Sequence, residues 1–291
     1  MQIEDPSSET LLAATSGNLA ALDRLLLGCQ PGVYNLAVRV LGNRDDAADA
    51  TQEILLKIAT HLGSFRGESA FSTWAWRVAH NHLMTARTRS LESPTVSLEA
   101  MAERLDQGLD FATALAERQG APVPLTPQDK LEARQLALAC TQSMLMAMGR
   151  KDRLICVMDT VFDIASEQAA AVVGISPAAY RQRLSRTRAR WTAFVGSTCG
   201  LANPQAACAC ERQLPAARHV AAAGRKSIPV VAAQRGNEMD EAERNFSAFI
   251  RVSDAAAVFR AHPDYQAPGN MVLAIRAVLT QEGFMQRNHP Q

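Results

Sequence analysis

Between Gly42 and Met84 two unlike surfaces follow one another along the chain. Asp46, Asp49 and Glu53 stand at i, i+3 and i+7, and Ala47, Ala50, Ile54 and Ile58 repeat that spacing one residue later. Only a helix puts residues at those intervals on one face. The helix is acidic on one side and apolar on the next, so it must lie on a bundle that buries the second. The following stretch sets Phe65, Phe71, Trp74 and Trp76 among Arg66, Arg77, His80, Asn81 and His82. Flat rings mixed with cations and amides suit unstacked bases and phosphates.

At 291 residues, 47% of them hydrophobic, the chain is long enough for about two domains with additions. Aromatics make up only 5%, alanine is abundant, and no stretch alternates like a strand for long. The expected fold class is all-α. A net charge of +1 excludes a uniformly basic binder, because a phosphate-binding surface need only be positive locally. The charge is segregated: 168–210 contains no Asp or Glu, while Arg181, Arg183, Arg186, Arg188 and Arg190 fall in one short segment. The first residues lack a basic segment leading into an apolar core, and no apolar run approaches ~18 residues. The expectation is a cytoplasmic protein without a membrane partner.

Taken in order, Ser7-Ser8-Glu9 opens a short helix that Ser16-Gly17-Asn18 breaks. A second helix carries Leu19, Leu22, Leu25 and Leu26, and Gln30-Pro31-Gly32 predicts the start of a third. Cys29 reads as a small core residue. From 91 to 130, Pro94, Pro122, Pro124 and Pro127 with Gly108 and Gly120 mark a linker. Leu98, Met101, Leu105 and Leu109 keep helical spacing inside it, which predicts an amphipathic helix that serves either packing or interaction. A second helical block begins near Leu131.

Ser166 to Leu184 carries a helix-turn-helix pattern. Small alanines allow a close helix crossing, Gly174 permits the tight turn, Ile175 plugs the angle, and Ser176 with Pro177 starts the next helix. That helix offers Arg181, Gln182, Ser185, Arg186 and Arg188 to base edges and phosphates in a major groove.

The order of these features resembles the sigma-70 family of transcription factors, especially its extracytoplasmic-function group. In region 2 the match runs through Asp46, Asp49, Gln52, Glu53, Leu55 and Leu56, then Phe65, Arg66, Gly67, Phe71, Thr73, Trp74, Arg77, Ala79 and Asn81. It departs at Ile54, where the family usually has an aromatic. In region 4 it runs through Glu167, Ala170, Gly174, Ile175, Ser176, Arg183, Leu184, Arg186 and Arg188. Arg181 stands where lysine is common, and Ala171, Val172 and Tyr180 differ in size.

The resemblance implies a two-domain protein, with 1–90 as region 2, 91–130 as linker and 131–195 as region 4. It implies that Asp46, Asp49, Gln52, Glu53 and Leu56 dock on core RNA polymerase. Phe65, Arg66, Phe71, Trp74, Trp76, Arg77, His80 and Asn81 would hold the unpaired strand of the −10 element. Ser176, Ala178, Ala179, Arg181, Gln182, Arg183, Ser185, Arg186 and Arg188 would read the −35 element. Promoter DNA and the core enzyme are the implied partners, and an anti-sigma factor is a further candidate. No covalent step is required, so no enzyme activity is expected.

Residues 196–291 lie outside that plan. Cys199, Cys208 and Cys210 are close in sequence, with His219 a weak fourth ligand. A metal ion such as zinc, a disulfide switch and unreactive thiols all fit this spacing. Two amphipathic segments follow, 238–260 and 271–281. Phe246, Phe249, Ile250, Val258 and Phe259 are expected to pack against Val272, Ile275, Val278 and Leu279 as a small regulatory lid. A stand-alone helix-turn-helix regulator with a metal- or redox-sensing tail is the alternative. It leaves the acidic helix and aromatic loop unexplained. A metal enzyme built on His80 and His82 is unfavourable, because i, i+2 positions point to different helix faces.

Overall fold

The computed structural model describes residues 2–86, 97–120, 124–223, 260 and 262–281. Among them every extended element is helical, and pairing between strands is limited to one isolated bridge, Cys199 to Cys208. The all-α expectation holds.

The described residues fall into two compact units, those within Met1–Arg89, Phe162–Tyr180 and Tyr265–Gln291, and those within Ser90–Val161 and Arg181–Asp264. The units interleave along the chain.

In the first unit, α1 (Ser8–Thr15) is capped by Ser7, whose hydroxyl accepts from the Thr10 amide at 3.2 Å. The next helix, α2 (Leu19–Leu41), runs unbroken through Pro31, so the expected third helix is the second half of α2. Proline withholds its own N–H and strands the carbonyl four residues back. That residue, Leu27, is 54% exposed. The Asn35 amide also donates to the Pro31 carbonyl at 3.0 Å, tying the turn from the other side.

Gly42 ends α2 in the left-handed region, at φ 71°. Asn43 then caps α3 (Arg44–His61), its side-chain oxygen accepting from the Asp45 and Asp46 amides at 2.8 and 3.0 Å. Both acids sit in the first turn, where the helix dipole favours negative charge. A 3-10 turn (Leu62–Ser64) leads to α4 (Phe71–Thr85). The α4 N-terminus has no local cap. Asp5 supplies one from 67 residues away, its carboxylate accepting from the Ser72 amide at 2.7 Å and the Ser72 hydroxyl at 3.2 Å. Against α4 packs α8 (Ser166–Val173), and α11 (Met271–Gln281) packs against α2 and α3.

The second unit holds α5 (Leu98–Gln119), α6 (Pro127–Met146), α7 (Arg150–Thr160), most of α9 (Pro177–Thr198) and α10 (Cys210–Ala222). The helix predicted inside the linker is therefore real, and it buries Leu98, Met101 and Leu105. It serves packing: α10 lies on α5 and α6. The Gln213 amide donates to the Leu105 carbonyl at 2.7 Å. A Cβ at Gly108 would stand 2.1 Å from the Gln213 Oε1 atom, so a glycine permits this approach. Thr126 and Asp129 form a capping box at the start of α6. Asp129 and Glu132 then receive Arg218 of α10, at 2.5 and 2.7 Å.

The expected apolar segment 238–260 lies outside the described residues apart from Arg260, so its packing partners are not assigned. Of the residues expected to receive it, Val272, Ile275 and Leu279 are buried on α11, while Val278 is exposed.

Candidate functional site

The acidic face of α3 divides on folding. Asp49, Gln52 and Glu53 are exposed and Leu56 is half-buried, whereas Asp46 is only 5% exposed. The apolar face behaves as the spacing requires: Ala47, Ala50, Ile54 and Ile58 are all buried.

At the start of α4, Phe65, Phe71 and Trp74 form a triad. Their ring centroids are 5.8 Å apart for Phe65 and Phe71, and 5.7 Å for each of these with Trp74. These spacings lie within the range for attractive aromatic pairs. Phe65 and Trp74 are half-buried, and Arg66, Arg77 and Asn81 are exposed around them. The half-buried His80 has its Nδ1 3.0 Å from the Asn81 side-chain oxygen. Flat surface and charge thus coincide here.

Trp76 is placed differently from its neighbours. It is 2% exposed and packs edge-on against Phe162, centroids 5.0 Å apart. Its ring is core, and a base could stack on it only after Phe162 moved. Arg77 donates to the Ala171 carbonyl from two nitrogens, and Gln168 donates to the Thr73 hydroxyl at 3.1 Å. Phe162, Gln168 and Asp5 shape this site. The sequence gives no local sign of them, because each acts across at least 67 residues.

His82 occupies the other face of α4 and is buried. Its Nδ1 accepts from the Lys57 ammonium at 2.8 Å, with a Glu53 oxygen at 3.9 Å. Burial first, and then the Lys57 charge, hold it below the ordinary histidine range, while Glu53 pulls the other way. The ring is a neutral structural acceptor.

The helix-turn-helix forms as its pattern implies. Gly174 adopts φ 76°, and the Ser176 hydroxyl accepts from the Ala179 amide at 3.2 Å. Along α9, Ala178, Ala179, Arg181, Gln182, Ser185 and Arg186 are exposed. Two predicted readers are otherwise engaged: Arg183 is paired with Asp152 at 2.6 Å, and Arg188 with Asp159. Both acids belong to α7, so these guanidiniums brace the helix from behind while Gln182, Ser185 and Arg186 face outward.

Cys199, Cys208 and Cys210 come together with Cys140 of α6, which spacing alone did not include. All four are free thiols. Burial raises Cys140 well above the ordinary thiol value, and the three neighbouring sulfurs raise it further. Burial likewise raises Cys199, whose sulfur accepts from the Leu201 and Ala202 amides. His219 stacks on Phe111 at 4.7 Å instead of joining them. Among the described residues no group of three His, Cys, Asp or Glu side chains is arranged to hold a metal ion. No described helix is long and apolar enough to cross a membrane.

Residues 25–90, which contain α3, the aromatic triad and α4, match sigma-70 region 2. The chain is 32% identical over 104 residues to the RNA polymerase sigma-H factor of Pseudomonas aeruginosa, covering 34% of this chain and about half (54%) of that protein. It is 24% identical over 193 residues to the ECF RNA polymerase sigma factor SigM of Mycobacterium tuberculosis, covering 66% and 86%. Against the ECF RNA polymerase sigma-E factor of Escherichia coli it is 28% identical over 176 residues, covering 59% and 85%. The matched segment coincides with the acidic helix and the aromatic triad, and the relatives the chain resembles are sigma factors, two of them named as ECF sigma factors.

Proposed function

We propose that this protein is a promoter-specificity subunit that joins core RNA polymerase and directs it to start transcription at particular promoters. The observation that carries this reading is one juxtaposition in the first unit. The exposed Asp49, Gln52 and Glu53 of α3 precede the Phe65–Phe71–Trp74 triad, all within the segment that matches region 2. Exposed carboxylates suit a basic protein surface and steer association. Rings flanked by Arg66 and Arg77 suit a base already out of the helix.

On this reading the two DNA contacts divide their work. Gln182, Ser185 and Arg186 on α9 address the duplex of the −35 element, where base edges in the major groove specify sequence. The triad stabilises the opened strand of the −10 element by stacking. Neither step makes or breaks a covalent bond, so the protein acts by positioning alone.

Charge reversal at the acidic face tests the docking half. The double variant Asp49→Lys, Glu53→Lys is expected to stay folded, since both side chains are exposed, and to weaken binding to core polymerase at least tenfold. Unchanged binding would remove α3 from the polymerase interface.

A further inference from the structure

Helix α4 begins without a cap of its own. Ala70 stands at its N-cap position, and alanine has no side-chain oxygen to offer the amides of the first turn. Phe71 and Trp74, two members of the aromatic triad, lie in that turn, three residues apart and so on one helix face. Fraying of 71–74 would move both rings.

Two distant segments hold the turn. One carboxylate oxygen of Asp5 accepts from the Ser72 N–H at 2.7 Å, and the other accepts from the Ser72 hydroxyl at 3.2 Å. Gln168 of α8 donates to the Thr73 hydroxyl at 3.1 Å and to the Ser72 hydroxyl at 3.4 Å. Ser72 and Thr73 are both buried, so losing a partner leaves a polar group unpaired.

Asp5 is itself exposed, and its neighbours fix its place. Ile3 is buried, and the Gln2 side-chain amide donates to the Phe162 carbonyl at 2.8 Å. Phe162 is the residue whose ring packs on Trp76. Residues 2–5 therefore join the residue that covers Trp76 to the turn that carries Trp74.

We propose that Asp5 is a positioning residue for strand opening, holding the first turn of α4 so that Phe71 and Trp74 stand ready for an unpaired base. The inference rests on the strand-capture role proposed for the triad. Asp5 acts on the strand only through Ser72. Loss of one cap shifts the equilibrium between a formed and a frayed helix start about fivefold. The fraction of molecules with both rings in place then sets the apparent affinity for the base. The negative charge is not what matters, because an amide oxygen accepts from the same N–H.

The full-length Asp5→Ala and Asp5→Asn proteins, bound to core polymerase, test this at a temperature where each is folded. The probe is a promoter found by run-off transcription with the native protein, and opening is read as permanganate reactivity of its unpaired thymines. Asp5→Ala is expected to speed exchange of the Ser72 amide and to reduce opening about two- to fivefold. Its affinities for core polymerase and for the −35 duplex are expected to stay within about twofold of native, since the cap acts on the first turn of α4 alone. Asp5→Asn is expected to restore both the Ser72 protection and the opening. Native opening by Asp5→Ala overturns the proposal, as does equal failure of Asp5→Asn or a parallel loss of core binding. If the native protein itself opens no promoter, the strand-capture role of the triad fails, and the proposal falls with it.

Discussion

Arg77 donates from Nε and Nη2, at 3.2 and 2.8 Å, to a single acceptor, the main-chain carbonyl of Ala171. This fork ties the aromatic helix α4 to α8, the helix that opens the helix-turn-helix. A lysine keeps the charge and loses the fork. Arg77→Lys is therefore expected to lower stability by about 1 kcal/mol, the worth of a typical net hydrogen bond, read as a fall of a few degrees in melting temperature.

Substituting the two tryptophans of α4 is expected to separate folding from strand capture. Trp76→Ala empties a buried site against Phe162 and is expected to cost about 3–5 kcal/mol, visible as a lowered denaturant midpoint. Trp74 is half-buried at the edge of the triad. Trp74→Ala is expected to leave a folded protein that still binds −35 duplex and fails to form the open complex. Normal strand opening by that variant would remove the triad from melting.

The arginines of α9 divide in the same way. Arg186 is exposed beside Gln182 and Ser185. Arg186→Ala is expected to weaken duplex binding and to reduce the salt slope by about 0.9 for each phosphate that is no longer neutralised. Arg188 is paired with Asp159. Arg188→Ala is expected to act first on stability, with Asp159→Asn moving melting in the same direction. Equal salt slopes for the native and Arg186→Ala proteins would contradict the assignment.

Acid should loosen the first unit through His82. Its folded pKa is lowered, chiefly by burial, so as pH falls the unfolded chain takes up the proton first. The stability contributed by the neutral ring is complete above the unfolded value, about 6.5, and is lost as pH falls through that value toward the folded one. Melting temperature should drop as pH falls below about 6.5, and His82→Gln should flatten that part of the profile.

Much of this was legible in the sequence because it is local. Asp46, Asp49 and Glu53 beside Ala47, Ala50 and Ile54 announce α3, and Gly174 with Ser176 announces the helix-turn-helix from neighbouring residues alone. Leu98, Met101 and Leu105 predicted α5 inside a stretch that otherwise read as linker. What escaped notice depends on distant partners. Asp5 capping α4, Phe162 covering Trp76 and Asn35 gripping Tyr265 join segments 67, 86 and 230 residues apart, and periodicity carries no record of such pairings. Arg183 and Arg188 looked like groove readers because Asp152 and Asp159, on a separate helix, could not be set opposite them in advance. Pro31 misled for a different reason: proline is favoured at a helix start, where its missing N–H costs nothing, yet α2 runs through it.

The central claim is selective initiation, and run-off transcription with core polymerase on genomic DNA measures it directly. Added to core enzyme, the native protein is expected to produce discrete transcripts from a small set of start sites, and the Trp74→Ala protein none of them. A folded native sample that leaves the transcripts of core enzyme unchanged would contradict the account.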